Sequence, residues 1–329
     1  MRRSLPLLAL FFASSSACHS SNPAPVATPS QPVEPEPAAR AANSVDDDFE
    51  VPDGLTVTEW AASPQLYNPT AISIDARGRV WVTEAVNYRQ WDGRNSGRHH
   101  AGGDRVVVLE DTDGDGRCDS STVFVQEPEL VAPLGICVIG DDVYVSCSPD
   151  LIRYRDNDRD GHADEREVIL TGFGGHDHDH GLHSVVPGPE GKLYFAVGNA
   201  GPHLVNGAYG FELRSGSLYT GGGQFAADNH PGLVSSDGKA WTGGLILRCD
   251  RDGGELEVLA HNFRNEYEVA LDSWGRMYTA DNDDDGNQSC RSLFVLEGGN
   301  HGYFSADGTR YWNVDRREGQ SIPRAHWHQ

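Results

Sequence analysis

Pro69-Thr-Ala-Ile-Ser-Ile-Asp75-Ala-Arg-Gly78-Arg-Val-Trp-Val-Thr83 is the stretch that decides the fold. Apolar residues alternate along both halves, and the polar step Asp75 to Gly78 between them carries the glycine that a tight turn favours. The segment reads as strand, turn, strand. The unit returns as Leu134-Gly-Ile-Cys-Val-Ile-Gly-Asp-Asp142-Val-Tyr-Val-Ser146, again over residues 182–197, and as Glu268-Val-Ala-Leu-Asp-Ser-Trp-Gly275-Arg-Met-Tyr-Thr279. Each copy places an aromatic residue in its second strand: Trp81, Tyr144, Tyr194 and Tyr278. A second hairpin follows most copies. Arg105–Leu109 is expected to pair with Thr122–Val125, and Gly244–Arg248 with Glu255–Leu259. Four strands at a period of roughly 40–60 residues predict an all-β fold, a β-propeller with about four blades between residues 55 and 305. A β-sandwich with similar hairpins is the alternative. The last residues, Ile322 to Gln329, show no closing strand, so the ring is expected to be a truncated six-bladed one.

The bulk composition narrows the function. The formal net charge is -23, which excludes the basic footprint of a nucleic-acid binder. Thirty-eight glycines with little helical periodicity favour many turns. Six cysteines include no C-x-x-C and no C-x-x-C-H, so the chain carries no zinc ribbon and no c-type haem attachment site.

The N-terminus reads as an export signal. Met1-Arg-Arg3, an apolar run from Leu5 to Phe12 and small residues up to Ala17 form its three regions. Ser15-Ser-Ala-Cys18 resembles a lipobox, with Cys18 as the lipidated residue and Ser15 where an aliphatic residue is usual. Plain secretion with cleavage after Ala17 is the alternative. Residues 19–50 are rich in Pro, Ala and Ser and are expected to form a disordered tether. The β domain is expected over residues 51–329, at the periplasmic or cell-surface side of a membrane.

Three acidic loops carry calcium-ligand spacing. Asp111, Asp113, Asp115 and Asp119 occupy positions one, three, five and nine, with Gly116 at six and Thr122 at twelve. Asp156, Asp158, Asp160 and Asp164 repeat the pattern, with Gly161 at six and Glu167 completing the set at twelve. Asp281, Asp283 and Asp285 form a third, less complete loop. Each joins or follows strands, so none is a helix–loop–helix site, and the alternative is an Asp-Gly turn with no ion. Cys137 and Cys147 flank one hairpin turn; a disulfide and two small buried core residues are both open.

Gly174-Gly-His-Asp-His-Asp-His-Gly-Leu-His183 is too polar for a core strand and too rich in glycine for a helix. It reads as a loop held by a rigid scaffold, the usual place for a site. An exposed polar loop and an incidental metal-binding tract are the bland alternatives. A transition metal held by His176, His178 or His183 fits the chemistry of imidazole ligands.

Four stretches, His176–His183, Phe263-Arg-Asn265-Glu-Tyr267, Asp281–Gly286 and Glu297-Gly-Gly-Asn-His-Gly-Tyr303, resemble the propeller domain of the membrane-bound dehydrogenases of the planctomycete and verrucomicrobia group. That domain is related to the soluble glucose/sorbosone dehydrogenases, which use pyrroloquinoline quinone (PQQ). The resemblance covers about residues 50–329. It implies His180, eight residues before Gly188-Pro189, as general base. It also implies cofactor contacts from Arg264, Asn265 and His183, and a cofactor-side calcium region at Asn282 and Asp283. It implies a sugar or alcohol substrate and a cytochrome c acceptor, fused or separate. Ser184 and Glu266 depart from the Arg and Pro of that family's pattern. The competing functions are a non-catalytic surface module binding polysaccharide or protein, and a metal-dependent hydrolase on a propeller.

Overall fold

A computed structural model describes residues 49–89, 98–217, 229–282 and 290–304. The segments read from the sequence as leader and tether, up to residue 48, and the tail after residue 304 lie outside the described residues. The chain divides into two units, Met1–Val57 and Thr58–Gln329. The described part of the first holds one turn, closed by Leu55 N donating to Pro52 O. All sheets belong to the second unit, and no α-helix occurs among the described residues.

The first sheet runs β1 (Pro69–Ile74), β2 (Val80–Glu84), β3 (Arg105–Glu110) and β4 (Ser120–Gln126), each antiparallel to its neighbour. The second runs β5 (Gly135–Ile139), β6 (Asp142–Cys147), β7 (Asp150–Arg155) and β8 (Glu165–Thr171) in the same way. The third begins with β9 (Leu182–Pro187) and β10 (Leu193–Val197). The chain then leaves it for a small sheet of β11 (His203–Asn206), β12 (Glu212–Gly216) and β13 (Trp241–Thr242). It returns as β14 (Gly244–Cys249), on β10, and β15 (Glu257–Phe263). The fourth is β16 (Glu266–Leu271), β17 (Met277–Asp281) and β18 (Arg291–Val295), after which β19 (Gly299–Asn300) joins β15 in parallel. The first strands of the four sheets, β1, β5, β9 and β16, are neighbours in that order.

The turns explain why the sequence repeat folds as it does. Asp75 Oδ1 accepts from Arg77 N and Arg79 N, and its Oδ2 accepts from Arg79 Nε at 2.7 Å. Asp272 does the same with Trp274 N, Arg276 N and Arg276 Nε at 2.6 Å. Gly78 and Gly275 stand at φ +83 and +76, where a side chain is strained. One Asp-x-x-Gly-Arg device therefore closes the first hairpin of the first and fourth sheets.

Packing explains the nearly continuous apolar strands. Successive residues of a strand face opposite sides, and the inner sheets are covered on both. Val106 and Val108 join Val143, Val145 and Ile152 of the second sheet, while Val107 and Leu109 face Trp60, Ala61 and Leu66. Tyr144 and Leu151 pack with Leu193, Phe195 and Leu247 of the third sheet. Tyr194 and Ile246 turn the other way, to Val269, Met277 and Val295 of the fourth. Tyr278, the last of the four repeat aromatics, is 41% exposed. Cys137 faces Tyr144 across the β5–β6 hairpin and Cys147 faces Asp150, and both are free thiols.

The turn between third and fourth strands reaches back to the preceding sheet. From the second sheet, Ala163 N donates to Phe124 O and His162 Nδ1 sits 2.9 Å from Val123 O. From the third, Arg251 reaches Tyr144 Oη at 3.1 Å and Asp142 Oδ2 at 2.6 Å. Gly253 lies so close to Ile169 that a Cβ would stand 2.4 Å from its carbonyl oxygen.

Phe195 is fully buried at the centre of the second–third sheet interface. Phe195→Ala is expected to lower stability by about 3–5 kcal/mol and Phe195→Leu by a clearly smaller amount, measured by urea unfolding. Equal, small losses for both would show that this interface is not close-packed.

Candidate functional site

The histidine stretch folds as a closed loop between β8 and β9. Gly172 N and Phe173 N donate to Pro149 O, and Gly181 N donates to His178 O at 3.2 Å. The two ends touch: a Cβ on Gly175 would lie 2.5 Å from the Gly181 Cα. Only glycine allows that approach, which is why the polar run is bracketed by glycines. Ser148 anchors the loop through Leu182 N to its Oγ at 2.7 Å and His176 Nδ1 at its carbonyl oxygen.

Backbone bonds then join three stretches. Gly198 N donates to Gly181 O, Ala200 N to His180 O, and Asn199 N to Arg264 O. Gly198 packs so tightly that a Cβ would stand 2.5 Å from Asn265 Oδ1 and 2.8 Å from His180 Cα. His180, Asn199, Arg264 and Asn265 are all buried here. His180 Nδ1 is 2.7 Å from Asn199 Oδ1. That oxygen accepts, so Nδ1 carries the proton and the neutral ring keeps its lone pair on Nε2. Burial, and then the charge of Arg264, hold His180 well below the ordinary histidine pKa.

Asp281 organises the other wall. Its carboxylate accepts from Arg264 N at 3.1 Å, Asn265 N at 2.8 Å and Arg291 Nη2 at 2.8 Å. Asn282 Oδ1 accepts from Arg264 Nη1 at 2.8 Å. Asp281 thus spends its oxygens on the chain rather than on an ion, and Asn282 orients Arg264. Glu266 faces Asp281 across β16 and β17. Burial, and then the Asp281 charge, raise Glu266 well above the carboxylate range. Both its carboxyl oxygens, Asn199 Nδ2 and Asn265 Oδ1 are buried without a hydrogen-bond partner among the described residues.

The histidines do not assemble a metal-ligand set. His178 Nε2 lies 3.0 Å from Arg89 Nη2, and its Nδ1 meets His180 N and Asp179 Oδ1. His183 places both nitrogens on backbone carbonyls, and His176 Nδ1 sits on Ser148 O. Among the described residues, no group of three metal-ligand side chains with atoms within 4.8 Å includes these histidines. Their ring nitrogens instead enter a hydrogen-bonded network that includes the Arg89–Asp179 ion pair.

The first two acidic loops do converge. Asp111, Asp113 and Asp115 bring ligand oxygens within 4.8 Å of one another, as do Asp156, Asp158 and Asp164. The loops share one backbone plan: the first Asp accepts from the glycine at six, the third position from the fifth, and the fifth from the seventh. Asp119 is occupied by Thr112 N and Oγ1. Asp160 accepts from His162 N, and Glu167 pairs with Arg153 across β7 and β8. Cys18, Asp283 and Asp285 lie outside the described residues. Reading the sequence missed Asn199 and Arg89, whose roles arise only when distant stretches meet.

Buried His203 accepts at Nδ1 from Gly174 N, and its Nε2 lies 2.9 Å from Gly198 O. Burial pushes its pKa down to about 4. The unfolded chain, with a histidine pKa near 6.5, takes up that proton first. Stability is therefore expected to fall as pH drops from about 6.5 through about 4, by about 2–3 kcal/mol from this residue. His203→Gln should remove that share of the loss between pH 7 and 4.5 in urea unfolding; an unchanged loss would assign it elsewhere.

The holo PQQ domain of pyranose dehydrogenase from Coprinopsis cinerea is similar at 17% identity and a TM-score of 0.42, over 69% of this chain and 48% of that one. PQQ-bound aldose sugar dehydrogenase from Streptomyces coelicolor is similar at 15% identity and a TM-score of 0.46, over 74% and 66%. The calcium-binding protein regucalcin from Agrobacterium tumefaciens str. C58 gives 14% identity and a TM-score of 0.41, over 70% and 62%. The chain thus spans about half to two thirds of the length of these structures. No curated protein matches the sequence. The model of the family described as "Domain of unknown function (DUF7133)" matches residues 41–299, most of the chain, and the protein belongs to that family.

Proposed function

We propose that the four sheets are blades of a β-propeller and that His180 is the general base of an oxidoreductase acting on a sugar or related alcohol. One observation carries the reading: a buried, neutral imidazole is fixed through Nδ1 by Asn199 Oδ1 and lies beside the Arg264 charge. Such a ring takes the hydroxyl proton of a substrate at Nε2. Arg264 lowers its basicity and stabilises negative charge developing on a neighbouring oxygen. The motif resemblance set out above supports a quinone as acceptor.

The residues fit such a group. Pyrroloquinoline quinone is an anion rich in carboxylate and carbonyl oxygens, and it calls for donors. Asn199 Nδ2 is a buried donor with no partner among the described residues, and Arg264 supplies the charge. Arg264 and Asn199 would hold the quinone, with Asn265 flanking it; when bound it would supply the acceptor for the carbinol hydride. His183 and Asn282 support from behind, since their polar atoms are committed to Asp179, Glu266 and Arg264. Export, lipidation at Cys18 and delivery of electrons to a cytochrome c belong to the same proposal and rest on the sequence.

The test is reconstitution with pyrroloquinoline quinone and calcium, followed by dye reduction across a sugar panel. His180→Gln is expected to cut turnover by at least about 100-fold with the melting temperature little changed. Turnover near that of the unaltered chain would move the chemistry away from His180.

Calcium in the two convergent loops is the second part of the proposal. The Asp156–Asp164 loop docks on β4, so an ion there would stiffen the junction of two sheets. EGTA is expected to lower the melting temperature by about 5 °C, and Asp158→Asn to shrink that shift. A melt unaffected by chelation would remove calcium from both loops.

A further inference from the structure

The first and second sheets leave a crevice at the end of their strands remote from His180. A Cβ on Gly135, which opens β5, would lie 2.4 Å from the His183 carbonyl oxygen. Thr70, at the start of β1, donates to Pro133 O at 2.6 Å. Both strands therefore start beside the histidine loop, and the β1–β2 and β5–β6 turns close the opposite end. A cavity of about 300 Å³ opens there between the two sheets, at the small end of the range for small-molecule sites. Trp81, Phe124, Val138 and Val143 form its apolar floor. Trp81 and Phe124 meet edge to face with centroids 4.8 Å apart. Arg77, Arg79 and Arg159 stand around that floor.

At the next junction the corresponding place is filled by the protein itself. Trp81 and Tyr144 hold the same position in their hairpins, opposite Ser73 and Cys137. Arg251 of the third sheet reaches Tyr144 Oη at 3.1 Å, Asp142 Oδ2 at 2.6 Å and Ile139 O at 3.3 Å. Two residues before the aromatic, the second sheet has the acceptor Asp142 and the first has the donor Arg79. A second guanidinium there would stand against the first. Arg159, on the turn that reaches back to the first sheet, points to the rim instead, 79% exposed and 3.7 Å from Asp141.

The hydrogen bonds show which charge the cavity lacks. Asp75 accepts from Arg77 N, Arg79 N, Arg79 Nε and Trp81 Nε1. Asp156 accepts from Arg159 N and Gly161 N. These two acids of the wall are committed. The arginines have more to give. Among the described residues Arg79 donates only its Nε–H and backbone N–H, both to Asp75, and its guanidinium lies over the Trp81 ring. Arg77 is exposed, and Arg159 is beyond hydrogen-bond reach of Asp141. A guanidinium has five N–H donors and no acceptor. The unspent capacity is therefore for an anion, in a chain whose formal charge is -23.

We infer that this cavity binds a small organic carboxylate, with its charged end on Arg77, Arg79 and Arg159 and its apolar body on Trp81, Phe124 and Val143. A carboxylate matches the planar fork of a guanidinium with two parallel hydrogen bonds. An inorganic anion would leave the apolar floor wet, and a neutral apolar molecule would leave the forks without a partner. The site stands apart from His180 and does not depend on the proposed dehydrogenase.

The probe is para-fluorobenzoate, followed by fluorine NMR against the unaltered chain, with para-fluorobenzamide and inorganic sulfate as comparisons. The place of binding is read from the indole N–H of Trp81 in protein labelled at its tryptophans, assigned through Trp81→Phe. Saturable binding with a Kd of about 1 mM or below is expected, together with a shift of the Trp81 signal. The amide and sulfate should bind about ten-fold more weakly or less. Arg77→Gln combined with Arg159→Gln changes only exposed side chains and should weaken the benzoate about ten-fold. Asp141→Asn removes a competing charge and should tighten it about two-fold. The inference is overturned by a lack of saturable binding, by amide or sulfate binding equally well, or by a Trp81 signal that stays in place. A double variant that binds as well as the unaltered chain would overturn it too.

Discussion

Three backbone hydrogen bonds hold the centre of this molecule: Gly198 N to Gly181 O, Ala200 N to His180 O, and Asn199 N to Arg264 O. They join the histidine loop, the end of β10 and the approach to β16, three stretches separated widely in sequence. Everything polar in the site is placed by them. His180 meets Asn199 because Ala200 holds the His180 carbonyl one residue away. Arg264 comes near both because its carbonyl is taken by Asn199. The bonds require a bare Cα at position 198, since any side chain there would collide with His180 and Asn265. A backbone contact of this kind sets geometry more firmly than side chains do, because it has no rotamers to lose.

The electrostatics follow from that confinement. With little solvent at hand, each ionisable group takes the state that its fixed partners allow. Backbone N–H groups and Arg291 surround the Asp281 carboxylate, while burial, and then the Asp281 charge, raise Glu266, which faces it, well above the carboxylate range.

Much of the fold was legible in the sequence because its signals are local. Asp75–Arg79 and Asp272–Arg276 announce their turns with side chains that bond to their own backbone, and strand alternation is visible over a few residues. The expected pairing of Arg105–Leu109 with Thr122–Val125 matches β3 and β4. The excursion through β11–β13, which separates β10 from β14, gave no such cue. The site was half legible. His180, Arg264 and Asn265 stand in recognisable motifs. Asn199 and Arg89 do not, since their importance depends on contacts made across the fold. The histidine run looked like a ligand set because composition shows which donors are present, whereas only geometry shows where they are spent. Glu167 illustrates the same limit: its spacing completes a loop, while strand register turns it to Arg153.

The turns that reach back from one sheet to the one before have a consequence for how the domain comes apart. The second and third sheets are each latched to the one before through a short hook, Ala163 on Phe124 in one case and Arg251 on Asp142 in the other. Coupling of this kind runs between nearest neighbours. The free energy of such a domain is a sum of sheet terms and junction terms, as in a stacked array. Damage at one hook would weaken its own junction first and leave the next pair of sheets joined, so that unfolding has a direction along the chain.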